Sequence, residues 1–179
     1  ASFISSKCLC FLLNTEKVEK GDCFFIPAGT VHAICKGCYI AEIQQTSDIT
    51  YRIYDYDRRD KNGNPRELHT ELATDVINFC EQKQHSIHYH QHENHTEELV
   101  SCNYFTTNYL KFDKEVEKDY IELDSFVIYM CLEGNFTLVY DVDKTVKVNK
   151  GETILVPAIL KNLFLIPETE AEILEIYIR

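Results

Sequence analysis

The frame Gly21-Asp22-Cys23-Phe24-Phe25-Ile26-Pro27-Ala28 recurs as Gly151-Glu152-Thr153-Ile154-Leu155-Val156-Pro157-Ala158, and this echo constrains the fold more than any other feature. Each copy sets a glycine and an acid before a mostly apolar run and closes it with proline and alanine. Each is approached by a short strand-like stretch ending in lysine, Val18-Glu19-Lys20 and Val148-Asn149-Lys150. Glycine turns the chain, a short apolar run bounded by turn signals reads as a strand, and proline ends it. Two copies of one β unit are the simplest account, with a chance match between two ordinary turn-strand-turn units as the alternative.

The rest of the chain is written in the same style. Tyr39-Ile40-Ala41-Glu42-Ile43 follows a turn at Lys36-Gly37, and Tyr51-Arg52-Ile53-Tyr54 alternates large and polar residues, so Val18 to Asp57 reads as hairpins of an antiparallel sheet. Leu68, Leu72 and Val76 recur at helical spacing and predict a short helix over about Thr70 to Asn78. Glu81 to Glu98 is polar and histidine-rich without periodicity, as a linker would be. Beyond it, Phe126 to Met130, Phe136 to Tyr140, Thr145 to Val148, Thr153 to Val156, Leu163 to Ile166 and Ala171 to Ile178 are strand-like runs at short, fairly even spacing. That spacing predicts an all-β sandwich or barrel. The expected organisation is one part over residues 1–80, a linker over 81–98 and a β domain over 99–179.

Composition narrows the partners. A chain of 179 residues is long enough for one good-sized domain or two small ones. Its 29 acidic against 18 basic residues, a net charge of -11, should repel nucleic-acid phosphates and anionic lipid, so neither is expected as a partner. Eight cysteines are spread through a chain that is 45% hydrophobic and can build its own core, which favours reduced thiols and a cytoplasmic location over a disulfide framework. Ala1 to Asn14 does not read as a signal peptide, and no apolar stretch approaches transmembrane length. The first residue is not methionine and a strand-like pattern begins almost at once, so further residues are expected upstream.

The spacing Gly21-x5-Pro27-x-Gly29-x2-His32 resembles the second signature motif of the cupin superfamily. Glycine and acid turn into a strand, Pro27 and Gly29 bend it at the barrel mouth, and His32 then points inward, where a neutral imidazole can bind a metal. Four stretches carry a closer resemblance: Ile26 to Ile34, Glu42-Ile43-Gln44-Gln45, Ser47 to Tyr56 and Arg66-Glu67-Leu68-His69. Together, and above all in the order Glu42-x5-Asp48-x3-Arg52, they are similar to type I mannose-6-phosphate isomerase of the short bacterial form. The segment from Leu123 onward is similar to that family's C-terminal, metal-free cupin, so the resemblance covers roughly residues 15 to 179.

The resemblance implies an all-β, cupin or jelly-roll chain: part of a catalytic cupin, a short helix, then a complete metal-free cupin. It implies interconversion of mannose 6-phosphate and fructose 6-phosphate through an enediol, with zinc as the electrophile. Carried over residue by residue, His32 matches a zinc ligand, Arg52 matches the arginine that lines the sugar site, and Glu42 and Asp48 match acidic active-site positions. Glu42 is then a candidate either for proton transfer or for orienting Arg52. Without the resemblance, Glu42 and Arg52 would read as solvated or mutually paired strand charges, and Asp48 as a turn acid.

The chain departs from the family in one respect. A catalytic zinc takes about three protein ligands, and His32 is the sole match, because no His-x-His or Gln-x-His strand precedes Gly21. This chain alone is therefore expected to be inactive, with a non-enzymatic cupin remnant or sugar-binding module as the alternative. His85, His88, His90, His92 and His95 are dense enough to meet a metal but read better as a solvated linker. Cys35-Lys36-Gly37-Cys38 lacks the second pair a zinc site needs and reads as free thiols at a turn. Open strand edges of a partial jelly roll predict self-association into a homo-oligomer.

Overall fold

The computed structural model describes residues 12–47, 49–80, 85–142 and 144–178. The chain divides into two compact units, Ala1–Ser86 and Ile87–Arg179. The division falls inside the histidine-rich stretch.

In the first unit the regular elements are β1 (Cys23–Phe24), helix α1 (Thr70–Val76) and the start of β2 (Ser86–Ile87). β1 and β2 form a two-stranded sheet, and the Phe25 amide donates to the His85 carbonyl at 2.9 Å. The strands expected at Tyr39 to Ile43 and Tyr51 to Tyr54 do not form ladders; those residues take no regular structure. A strand exists only where a neighbouring strand satisfies its N–H and C=O groups, and no such neighbour lies beside these segments among the described residues. Their large side chains are correspondingly open, Tyr39 being 94% exposed. The helix forms where the spacing of Leu68, Leu72 and Val76 places it, although Ala73 is its buried residue and the apolar stripe itself is exposed.

The second unit is a seven-stranded antiparallel sheet of β3 (His95–Ser101), β4 (Thr106–Phe112), β5 (Val116–Asp119), β6 (Val127–Tyr140), β7 (Lys144–Asn149), β8 (Thr153–Val156) and β9 (Asn162–Tyr177). The order is β3-β4-β9-β6-β7, with β5 added to β9 and β8 to β6. β6 and β9 pair along most of their lengths, with register shifts between Cys131 and Glu133 and between Gly134 and Phe136. These bulges bend both strands, so one half of β6 pairs with β8 and the other with β7. Gly134, at φ +70°, sits at the bend; a Cβ there would overlap the Glu170 carbonyl.

The core of this unit is the inward set of the alternating strands, including Leu110, Phe112, Val127, Tyr129, Phe136, Leu163, Leu165 and Ile173. Phe136 meets Phe112 at 5.9 Å and Tyr129 at 6.4 Å, both edge-on, the arrangement aromatic quadrupoles favour. Each such side chain contributes about 1.5–3 kcal/mol by leaving water. Into this interior the strands also turn a polar network. Glu175 accepts from Lys118 Nζ at 2.9 Å, from Asn108 Nδ2 at 2.8 Å and from the Tyr120 hydroxyl, which in turn pairs with the Tyr129 hydroxyl. Lys118 Nζ also donates to Thr96 Oγ1 at 2.7 Å.

The sequence echo survives as matched geometry. Gly21 and Gly151 take φ +95° and +83°. The Asp22 amide donates to the Glu19 carbonyl at 3.2 Å, as Glu152 does to Asn149 at 3.0 Å. The acid then reaches back to the same turn, Asp22 Oδ2 accepting from the Glu19 amide and Glu152 Oε2 from the Asn149 amide, each at 2.8 Å. Pro27 and Pro157 each accept three residues on, from the Thr30 and Leu160 amides. Past this point the copies diverge: Gly29 and His32 correspond to Ile159 and Asn162. Among the described residues no helix is long and apolar enough to cross a membrane.

Candidate functional site

Two expected site residues lie on segments that α1 holds by its opposite ends. At the C-terminal end, the Asn78 amide donates to the Gly29 carbonyl at 2.9 Å. Gly29 has φ +85°, and a Cβ on it would stand 2.6 Å from the Val76 carbonyl oxygen and 3.2 Å from the Asn78 nitrogen. Glycine is thus required twice, by the left-handed backbone and by the helix end against it. His32 follows three residues on. Its Nδ1 lies 2.9 Å from the Thr30 carbonyl, an acceptor, so Nδ1 carries the proton and Nε2 presents its lone pair. A backbone carbonyl behind an imidazole in this way is the usual support of a metal-binding histidine. The neighbouring Thr30 hydroxyl is buried and makes no hydrogen bond among the described residues.

At the other end of the helix, the Arg52 amide donates to His69 Nδ1 at 3.1 Å, and the His69 amide donates back to the Arg52 carbonyl at 2.7 Å. The Arg52 guanidinium donates to the Glu67 carbonyl at 3.3 Å. His69 occupies the N-cap position, and its carbonyl accepts from the Ala73 amide, the first bond of α1. Arg52 and His69 are both half-buried.

Beyond Arg52 lies a charge cluster. Asp55 is 6% exposed and receives two N–H donors from Arg66, one at 2.7 Å, and the Arg58 guanidinium at 2.9 Å. The Arg66 hydrogen bond holds the Asp55 carboxyl below its usual range; burial opposes this, and the charges of Arg58, Arg66 and Arg52 reinforce it. Arg58 also lies over the Tyr56 ring, 5.6 Å from its centre. Three arginines, Arg52, Arg58 and Arg66, thus act on this one carboxylate. The sequence assigned no role to Asp55, Arg66 or His69; its signals were the acidic and basic run from Asp55 to Asp60 and the stretch Arg66-Glu67-Leu68-His69.

Glu42 is exposed, on a stretch without regular structure, and makes no hydrogen bond or ion pair among the described residues. Asp48 lies outside the described residues. No group of three or more His, Cys, Asp or Glu side chains poised for a metal occurs among the described residues. Among the described residues His32 is therefore one imidazole without companion ligands, short of the roughly three a catalytic zinc takes. In the histidine-rich stretch, His92 Nδ1 meets Glu97 Oε1 at 2.6 Å, the His92 and His90 rings lie tilted with centres 5.7 Å apart, and β3 already begins at His95. Cys35 and Cys38 are exposed free thiols.

No protein-family model matches the chain. Curated proteins do. The chain is 36% identical over 148 residues to mannose-6-phosphate isomerase ManA of Bacillus subtilis, covering 82% of this chain and 46% of that one. It is 54% identical over 66 residues to the probable mannose-6-phosphate isomerase GmuF of the same organism, covering 37% of this chain and 21% of the relative. Among solved structures, the crystal structure of the Bacillus subtilis mannose 6-phosphate isomerase superposes with a TM-score of 0.63 at 30% identity, over 74% of this chain and 41% of that one. The described residues are mostly β-sheet with one short helix, which puts the chain in the all-β class. Over most of its length the chain is similar to mannose-6-phosphate isomerases, and the similarity falls on their C-terminal part. It spans about half the length, 46%, of the curated relative ManA.

Proposed function

We propose that this chain carries the His32 and Arg52 portion of a mannose-6-phosphate isomerase site, which interconverts mannose 6-phosphate and fructose 6-phosphate. The observation that supports this most is the double attachment of α1, which anchors the turn before His32 at one end and Arg52 at the other. Aldose-ketose interconversion through an enediol develops negative charge on the sugar oxygens, and a fixed guanidinium such as Arg52 stabilises it best when it need not reorganise. Glu42 either moves the proton between the two sugar carbons or orients Arg52, and Asp48 is the second acid of the pocket.

Zinc is the metal this reading implies, held in part by His32 and supplying the electrophile when bound. The described residues provide one of the roughly three ligands required, so no step is derived through it, and this chain alone is inactive in this reading. Once completed, the site would act in the cytoplasm on a free sugar phosphate.

The test is a hybrid in which this chain replaces the matching part of Bacillus subtilis ManA. Turnover of mannose 6-phosphate by the hybrid, abolished by Arg52→Ala, is expected. A folded hybrid that binds zinc but has no turnover, or one indifferent to Arg52→Ala, would overturn the reading.

A further inference from the structure

His69 sits where a helix usually carries Ser, Thr, Asp or Asn, whose side chain caps an orphan amide of the first turn. Its own side chain makes no such cap. Instead Nδ1 accepts the Arg52 amide at 3.1 Å while the His69 amide donates to the Arg52 carbonyl at 2.7 Å. An imidazole and a peptide together thus satisfy both backbone groups of one residue, a reciprocal pairing otherwise found between neighbouring strands. Here no strand flanks Arg52 among the described residues. The Glu67 carbonyl, two residues before His69, takes the Arg52 guanidinium at 3.3 Å, and the Tyr51 ring lies 6.2 Å from the His69 ring. Three contacts from the approach to one short helix therefore set the position of Arg52, and the helix forgoes a side-chain cap.

We propose that His69 is the positioning residue for Arg52: its ring, as an Nδ1 acceptor with the proton on Nε2, fixes the Arg52 backbone and thereby aims the guanidinium into the sugar site. The inference deepens the isomerase reading and rests on it for the destination of the guanidinium. The hydrogen-bonded clamp itself does not depend on that reading.

The two can be separated by experiment. In the ¹⁵N-labelled chain, a through-hydrogen-bond coupling between the Arg52 amide nitrogen and His69 Nδ1 is expected. His69→Leu, which keeps bulk and removes the acceptor, should speed Arg52 amide exchange at least tenfold and shift the Arg52 Nε–H signal. His69→Asn places an acceptor oxygen near the Nδ1 position and should restore both. The Ala73 and Ile77 amides of the helix should change less than Arg52 in His69→Leu; a residue serving only the helix would move them first. In the hybrid with ManA, His69→Leu should lower kcat about 10²-fold, as a misplaced catalytic group does, with KM within threefold, and His69→Asn should recover most of it. Absence of the coupling, or equal behaviour of the Leu and Asn variants, overturns the proposal. A folded, zinc-binding hybrid without turnover overturns the isomerase reading instead, and the clamp is then decided by the coupling and exchange data alone.

Discussion

Lys118→Met should strongly destabilise the second unit, in a way that depends on pH. Glu175 is 3% exposed, and the Lys118 ammonium lies 2.9 Å from its carboxylate with its own side chain 9% exposed. Removing one member of a buried pair leaves the other charge without compensation, which costs about 3–5 kcal/mol. That is a large share of the 5–15 kcal/mol that holds a domain together. Burial pushes the Glu175 carboxyl up, but the Lys118 charge and the hydrogen bonds from Asn108, Tyr120 and Lys118 outweigh it, and the net shift is downward. In the native protein Glu175 thus stabilises the fold above the ordinary glutamate value of about 4.3, and this is lost as pH falls through its lower folded value. Without Lys118 its charge and hydrogen bond no longer lower the Glu175 carboxyl, so burial pushes the folded value up relative to the native protein. The penalty is therefore full at neutral pH and shrinks toward pH 4, where the carboxyl takes up a proton. Urea denaturation read by tyrosine fluorescence, usable because the chain has no tryptophan, measures both quantities. Lys118→Met with Glu175→Gln should recover most of the loss, since an amide oxygen can still accept from Tyr120. A penalty under 1 kcal/mol at pH 7, or one unchanged at pH 4.5, would refute the reasoning.

Other perturbations test the first unit and its surroundings. Gly29→Ala should cost at least about 1–2 kcal/mol through left-handed strain, with more from the Val76 carbonyl 2.6 Å away, and the Asn78 amide should lose its exchange protection. The Asp55 carboxyl, held down first by the Arg66 hydrogen bond, contributes stability above about 3.9 that is lost as pH falls through its lower folded value. The Arg66 Nε–H signal should accordingly persist at pH 5 and fade only below 3.9. β3 and β7 end the main sheet order, and open edges favour pairing with another copy, so light scattering should report a species larger than one chain at micromolar concentration.

What could be read from the residues follows how local each signal is. The Gly-acid-apolar-Pro frame specifies its own turns, and both copies fold alike around Gly21 and Gly151. The spacing of Leu68, Leu72 and Val76 located α1, yet those side chains face solvent in this unit, so period revealed the element without its packing. β9 is one strand where two were expected, because the bulge opposite Gly134 lets it bend without ending. β3 was hidden in the histidine-rich stretch, whose residues alternate poorly in burial. Asp55 meets Arg66 across 11 positions and Glu175 meets Asn108 across 67; pairs so far apart leave no periodic trace. The His69 ring could not be assigned to Arg52 because its position at a helix start suggests a cap.

The central claim, that this chain supplies His32 and Arg52 to a site it does not complete, is tested most directly by zinc content and mannose 6-phosphate turnover of the purified chain beside its hybrid with ManA. The account predicts neither stoichiometric zinc nor turnover for the chain alone, and both for the hybrid, with turnover lost on Arg52→Ala. Stoichiometric zinc and turnover in the chain alone, or a zinc-loaded hybrid that turns over equally well without Arg52, would contradict it.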